Sequence, residues 1–150
     1  MSTALGTLTR ATNLLSYHLN SHITELGIGT TEYLLLRSAR LHPDVSAAEI
    51  RRSLGMGDAA FSDVVRRTIH RGFAIERPYP HDRRTRRVEL THPGAQAYRI
   101  ATAIYLELEA SIGSGPWMHE TIERIDRLGR RLLAIPQAER YIDGLPLATA

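Results

Sequence analysis

The sequence predicts a mainly α fold with one small β-hairpin, and three observations carry that reading. Apolar residues recur every three or four positions through most of the chain, the spacing of amphipathic helices. Between Gly72 and Thr91 the period shortens to two, in the runs Phe73–Arg77 and Arg86–Leu90, separated by a Pro78-Tyr79-Pro80 turn. Just ahead of this hairpin, two short helical patterns are joined by Gly55-Met56-Gly57, a turn of helix-turn-helix length. Helix, turn, helix and hairpin in that order make a winged helix-turn-helix lobe, and the long helices on either side make an α-helical region suited to dimerisation.

Composition bounds what such a chain can do. With 150 residues, 43% hydrophobic and 23% charged, it is one ordinary domain able to bury its own core. It has no Cys, which excludes disulfides, thiolate metal sites and a cysteine redox switch. No apolar run approaches bilayer length and the first helix is too mixed in polarity for a secretory signal, so a cytoplasmic location is expected. The net charge of +3 conceals a strong asymmetry. From Arg51 to Leu90 ten arginines face five carboxylates, a local +5, while the rest of the chain carries −2. Such local basicity is expected of a face that meets phosphate.

Taken in order, Leu5, Leu8, Ala11, Leu15, Leu19, Ile23 and Leu26 form the stripe of one long helix that stops at Gly27. A stripe of that length ahead of so small a lobe points to a second chain as its partner, a helix packed on its own core alone being the alternative. After Gly27-Ile28-Gly29, Thr30 is placed to cap a helix from Thr31 to about Leu41, with Leu34, Leu35, Leu36 and Ala39 inward, and His42-Pro43 ends it. Ser46-Ala47-Ala48-Glu49 is a capping box that starts a third helix, with Ile50 and Leu54 inward.

The fourth helix, from about Asp58 to Arg71, buries Phe61, Val64, Val65 and Ile69. Its opposite face presents Ala59, Ala60, Ser62, Asp63, Arg66, Arg67 and His70, the early ones near the helix N-terminus, where recognition helices meet base edges. The hairpin tip carries His81, Arg83 and Arg84, with Arg86 following. Four arginines within five residues repel one another, a cost more easily explained by a polyanion that gathers them than by a solvated turn. A slim basic loop also suits the narrow minor groove. Thr91-His92-Pro93-Gly94 then opens a long fifth helix carrying Ala97, Tyr98, Ala101, Ile104, Tyr105, Leu108 and Ile112, stopped by Gly113 and Gly115. A sixth follows Trp117 with Ile122, Ile125, Leu128, Leu132 and Leu133, and Pro136 separates a short tail around Tyr141 and Ile142.

Asp82, Arg84, Val88, Leu90, Thr91 and Gly94 together resemble the signature of the MarR family of bacterial transcription regulators: an Asp-x-Arg wing, an apolar strand, Leu-Thr and a helix-opening Gly. The resemblance extends from about Leu5 to Leu133 and implies a winged lobe over about residues 30–92, with residues 1–27 and 93–150 interlocking across a two-fold axis. It implies that Arg84 enters the minor groove and that Asp82 orients it. It implies a homodimer on a palindromic double-stranded DNA operator, most simply a repressor, released by a small aromatic or phenolic effector held between dimer-forming helices and lobe. Tyr17, His18, His22, Tyr33, Arg37 and Trp117 lie on the segments that would frame that cleft. Three positions depart from the pattern: Arg51 for a small residue, Asp63 for a basic or neutral one, and Thr68 for Leu. Asp63 can accept from a cytosine amino group or restrain Arg66 or Arg67.

No cofactor, metal or enzymatic chemistry is expected. His119-Glu120-Thr121-Ile122-Glu123 lacks the second His of a zinc-protease helix, and His18 with His22 lacks a third ligand. A winged module binding protein or RNA without sequence-specific DNA recognition is the second reading, and a small enzyme the third.

Overall fold

The computed structural model describes residues 3–80, 82–113 and 115–134, and the chain divides after Gly113 into two compact units. The expected tail around Pro136, Tyr141 and Ile142 lies outside the described residues, as does His81.

In the first unit, α1 (Ala4–Ile23) begins where the Thr3 hydroxyl accepts the Gly6 N–H at 3.0 Å. It tightens into a 3-10 turn over Thr24–Leu26 and ends at Gly27, whose φ of 75° is the left-handed conformation that terminates a helix. α2 (Thr30–Leu41) is capped differently from expectation. Gly29 is the N-cap, and the carboxylate of Glu32, three residues on, accepts the Gly29 N–H at 3.1 Å. Thr30 is drawn away to α1: its N–H and hydroxyl both donate to Asn20 Oδ1, at 2.9 and 2.8 Å. The Thr side chain is thus spent on a tertiary contact that local spacing does not reveal.

α3 (Ala47–Ser53) starts with the expected capping box: Ser46 Oγ accepts the Glu49 N–H at 3.2 Å and Glu49 accepts the Ser46 N–H at 2.7 Å. Gly55, at φ 63°, turns the chain into α4 (Asp58–His70). Leu35 and Leu36 of α2 are fully buried and α2 touches α1, α3, α4, α5 and the hairpin, so the core is assembled around this central helix. Burying each of those side chains contributes about 2 kcal/mol. Ile23, Ile28, Tyr33, Ala39, Ile50, Phe61, Val64, Val65, Ala74, Val88, Ala97 and Ala101 complete the core. Thr68 belongs to it as well at 0% exposure, its hydroxyl satisfied by the Val64 carbonyl at 2.7 Å, which is how a polar residue fills an apolar position.

The hairpin pairs β1 (Ala74–Tyr79) antiparallel with β2 (Asp82–Leu90), from Ala74 opposite Leu90 to Tyr79 opposite Asp82, with an irregularity between Pro78 and Tyr79. The ladder is longer than the alternation suggests. Pro78 and Tyr79 pair within it instead of turning, and the Tyr79 hydroxyl donates to the Asp44 carbonyl at 3.0 Å. Arg77 and Arg87 stand opposite one another, a destabilising pair except that Glu89 takes Arg87 and lies 3.9 Å from Arg77. Phe73 is not in the strand. Its N–H donates to the Thr68 carbonyl and its own carbonyl accepts the Thr91 N–H at 3.1 Å.

α5 (His92–Ile112) begins against that same Phe73 carbonyl. Thr91 Oγ1 accepts the Gly94 N–H at 3.1 Å and donates to the Gly72 carbonyl at 2.6 Å, so one hydroxyl ties the end of α4 to the start of α5. Gly94 is buried, and a Cβ there would lie 1.7 Å from the Phe73 oxygen. In the second unit, α6 (Pro116–Leu133) has Pro at its first turn and a row of pairs four apart: Arg124 with Glu120 at 2.5 Å, Arg130 with Asp126, and His119 with Glu123 at 3.4 Å. Ile122, Ile125 and Leu132 are exposed on it.

Gly94→Ala forces backbone against backbone, with no flexible group to yield. Urea unfolding of this variant should show a loss of about 3 kcal/mol or more, and a midpoint equal to that of the parent would show that the joint can open without cost.

Candidate nucleic-acid interface

The candidate site begins at the start of α4. The Gly55 turn aims this helix away from α3, and Arg51 clamps the turn: its Nε lies 3.0 Å from Asp58 Oδ1 and its NH1 donates to the Met56 carbonyl at 3.2 Å. A large residue at this position is therefore accommodated by becoming the brace of the turn it would otherwise crowd.

Ala59, Ala60 and Ser62 are exposed along the first turns of α4, and Arg66 and His70 continue the face. Across from them stands β2. A concave groove of about 810 Å³ runs between the two, with Ser62, Arg66 and His70 on one wall, Arg84 and Arg86 on the other, and Phe61 and Val65 at its base. Arg83 is exposed on the same strand outside this lining. Two predicted residues behave otherwise. Asp63 is half-buried and paired with Arg66 one turn on. Arg67 turns away from the groove, and its Nε donates to Glu32 Oε1 of α2 at 2.9 Å. Sequence reasoning placed Arg67 with its neighbours because helical periodicity assigns a face and says nothing about a partner 35 positions earlier. Thr85 and Arg71 were missed; Arg71 shares with Arg66, Arg67 and His70 a second cavity of about 330 Å³.

Asp82 acts on the wing through the backbone. Its Oδ1 accepts the Arg84 N–H and its Oδ2 the Thr85 hydroxyl, both at 2.9 Å. These bonds, the Arg84 N–H foremost, hold the carboxyl below its ordinary value of 3.8 against a slight opposing effect of burial. What it orients is therefore the strand that carries Arg84 rather than the guanidinium.

The residues expected to frame an effector divide into two groups. Tyr17, at 71% exposure, sits edge-on to the exposed His18, with ring centroids 5.7 Å apart, and His22 is exposed one turn later. Tyr33 is only 4% exposed: it stacks on Tyr105 at 4.1 Å and on Tyr98 at 6.0 Å, with its hydroxyl 3.4 Å from Thr102 Oγ1. Burial, and next the adjoining Tyr33 phenol, push the Tyr105 hydroxyl up to about 12, against weaker pulls from the Thr30 hydroxyl and Arg37. Arg37 is exposed, and Trp117 is exposed on α6. Neither the groove nor the second cavity is lined by Tyr17, His18, His22, Tyr33 or Arg37. Among the described residues no three His, Asp or Glu side chains converge as a metal site.

No protein-family model matches the sequence, and no curated protein matches it. Solved structures do. The MepR–DNA complex of S. aureus superposes with a TM-score of 0.74 at 14% identity, over 89% of this chain and 97% of that one. CouR from Rhodococcus jostii RHA1, solved with p-coumaroyl-CoA, gives 0.72 at 19% identity over 91% and 95%. A MarR/EmrR family transcriptional regulator from Acinetobacter sp. ADP1 gives 0.75 at 22% identity over 86% and 94%. The chain has the winged helix-turn-helix fold of the MarR-family regulators. No helix among the described residues is long and apolar enough to cross a membrane.

Because the ionised Asp82 carboxylate accepts the Arg84 N–H more strongly than the neutral acid does, that bond is at full strength above the folded value and weakens as pH falls through it. The Arg84 amide proton resonance should shift upfield with a midpoint below 3.8. A midpoint at or above 3.8 would place the carboxylate free in solvent.

Proposed function

We propose that this chain is a homodimeric, sequence-specific DNA-binding transcriptional regulator of the MarR type, a repressor released by a small effector. One observation carries the reading: the groove in which Ser62, Arg66 and His70 of α4 face Arg84 and Arg86 of the wing across a concave basic surface. A phosphodiester strand fits between a helix in the major groove and a strand tip in the adjacent minor groove. Ala59, Ala60 and Ser62 supply the small side chains that let the helix approach base edges. Asp63 restrains Arg66, and Arg83, Arg84 and Arg86 supply charge to the backbone and the minor groove. Residues of about 30–92 form the DNA-reading lobe in this proposal, and about 1–27 with 93–150 the dimerisation region.

Dimerisation is supported by apolar surface that the chain leaves uncovered. Leu5, Leu14, Leu15 and Tyr17 on α1, and Leu106 and Ile112 on α5, are all exposed. Two lobes held by such helices read a palindrome when their recognition helices lie roughly 34 Å apart, one DNA turn. The shared fold with MepR, solved on DNA, and CouR, solved with p-coumaroyl-CoA, supports both the operator and the effector. Tyr17, His18, His22 and Arg37 are the accessible candidates for the effector, and Tyr33 is a buried one within the aromatic stack.

Sedimentation at micromolar concentration should give a dimer, and a monomer that footprints a full palindrome would overturn that part of the proposal. In operator titrations over a salt series, Arg84→Ala should weaken operator and scrambled DNA alike and reduce the salt slope by about one. Ser62→Ala or Arg66→Ala should cost about 1–3 kcal/mol mainly on the operator. Equal affinity for every duplex, unaltered by these changes, would favour a module that binds protein or RNA. Arg37→Ala should blunt the response to effector and leave operator affinity nearly intact; equal loss of both would make Arg37 structural.

A further inference from the structure

A buried carboxylate lies beneath the DNA-facing helix. Glu32, in the first turn of α2, is 4% exposed, yet it reaches the end of α4: Arg67 Nε donates to its Oε1 at 2.9 Å and Arg71 NH1 stands 3.7 Å from the same oxygen. Its other oxygen accepts from the Gly29 N–H at 3.1 Å and the Thr31 hydroxyl at 3.3 Å. Burial works against ionisation, but the Arg67 hydrogen bond, the backbone N–H groups and the arginine charge outweigh it, so the group sits below its ordinary range. Arg67 and Arg71 are each close to half exposed, and with Arg66 and His70 they line the smaller cavity on α4. Two guanidinium groups thus face solvent on one side and a buried anion on the other.

We propose that Glu32 is a positioning residue, an internal counter-ion that occupies from within the lobe the anion seat Arg67 and Arg71 would otherwise offer to a DNA phosphate. The inference rests on the reading of α4 as the DNA-facing helix. A guanidinium already neutralised by a carboxylate neutralises no DNA phosphate and so releases none of the counter-ions condensed on the duplex, which leaves Arg67 and Arg71 adding little to non-specific affinity while Glu32 stays in place. This confines backbone contact to the wing, where Arg83, Arg84 and Arg86 stand exposed. The carboxylate is anchored at the corner between α1 and α2, because Gly29 supplies its N–H and the neighbouring Thr30 binds Asn20 of α1. A shift of that corner therefore changes the charge presented at the far end of α4.

Glu32→Gln keeps the size and the acceptor for Gly29 but removes the charge. Measured on the full chain, it should steepen the slope of log K against log salt by about one for each arginine released, on operator and scrambled duplexes alike. The ratio between the two affinities should fall. The double variant Glu32→Gln/Arg67→Gln should return toward the parent slope, and Glu32→Asp should lie between. A merely structural role would weaken binding without steepening the slope. A folded Glu32→Gln protein with the parent slope overturns the proposal. Should Glu32→Gln not fold, Arg67→Gln alone decides: an unchanged slope supports the internal counter-ion, and a slope flattened by about one shows that Arg67 already serves DNA. Elution from heparin separates the two readings. If the parent protein binds no duplex, the DNA-binding function fails, and later elution of Glu32→Gln than of the parent still supports the counter-ion, while equal elution refutes it.

Discussion

The contact on which the rest of this architecture depends is the approach of Gly94 to the Phe73 carbonyl. It places the first turn of α5 directly against the chain leaving α4, a distance that no side chain with a Cβ allows. The Thr91 hydroxyl completes the joint by serving both sides, Gly72 and Gly94. The hairpin is thereby held at its base by the Phe73 and Thr91 backbone groups together with the Thr91 hydroxyl.

Electrostatics refine what the joint positions. Carboxylates are distributed so that selected arginines are occupied: Asp58 with Arg51, Asp63 with Arg66, Glu89 with Arg87, and Glu32 with Arg67 and Arg71. Among the described residues no carboxylate pairs with Arg83, Arg84 or Arg86. Asp82 lies beside them and spends both of its oxygens on backbone and hydroxyl donors. The tip of the hairpin is thus ordered by an acid without a direct ion pair, while Glu89 pairs with the arginines nearer its base.

The helices outside the winged lobe have a different character. α1 buries only Leu19 and Ile23, both near its C-terminal end, and leaves its earlier apolar residues uncovered. α5 is buried at Ala97 and Ala101, where it meets the lobe, and exposes Leu106 and Ile112 further on. Each helix is thus anchored at the end nearest the lobe, and the remainder exposes large apolar side chains of the kind that oligomer contacts cover.

By itself the sequence determined the six helices, the hairpin, the Ser46 capping box and the Gly55 and Gly27 turns, because each depends on residues within one or two turns of each other, and local periodicity and capping chemistry report such contacts directly. The Thr91 and Gly94 signature was legible as a pattern, but the reason for it, a backbone carbonyl some twenty residues earlier, was not. Tertiary structure alone decided that Arg67 turns to Glu32, that Thr30 binds Asn20 while Gly29 caps α2, that Thr68 fills the core, and that Tyr33 lies in a stack with Tyr98 and Tyr105. For Arg67, Thr30 and Tyr33 the partner is a distant group that folding brought within reach, whereas Thr68 turns its hydroxyl to the Val64 carbonyl of its own helix and so enters the core. Such groups must be satisfied once buried, and the distances that satisfy them exist only after the chain has folded.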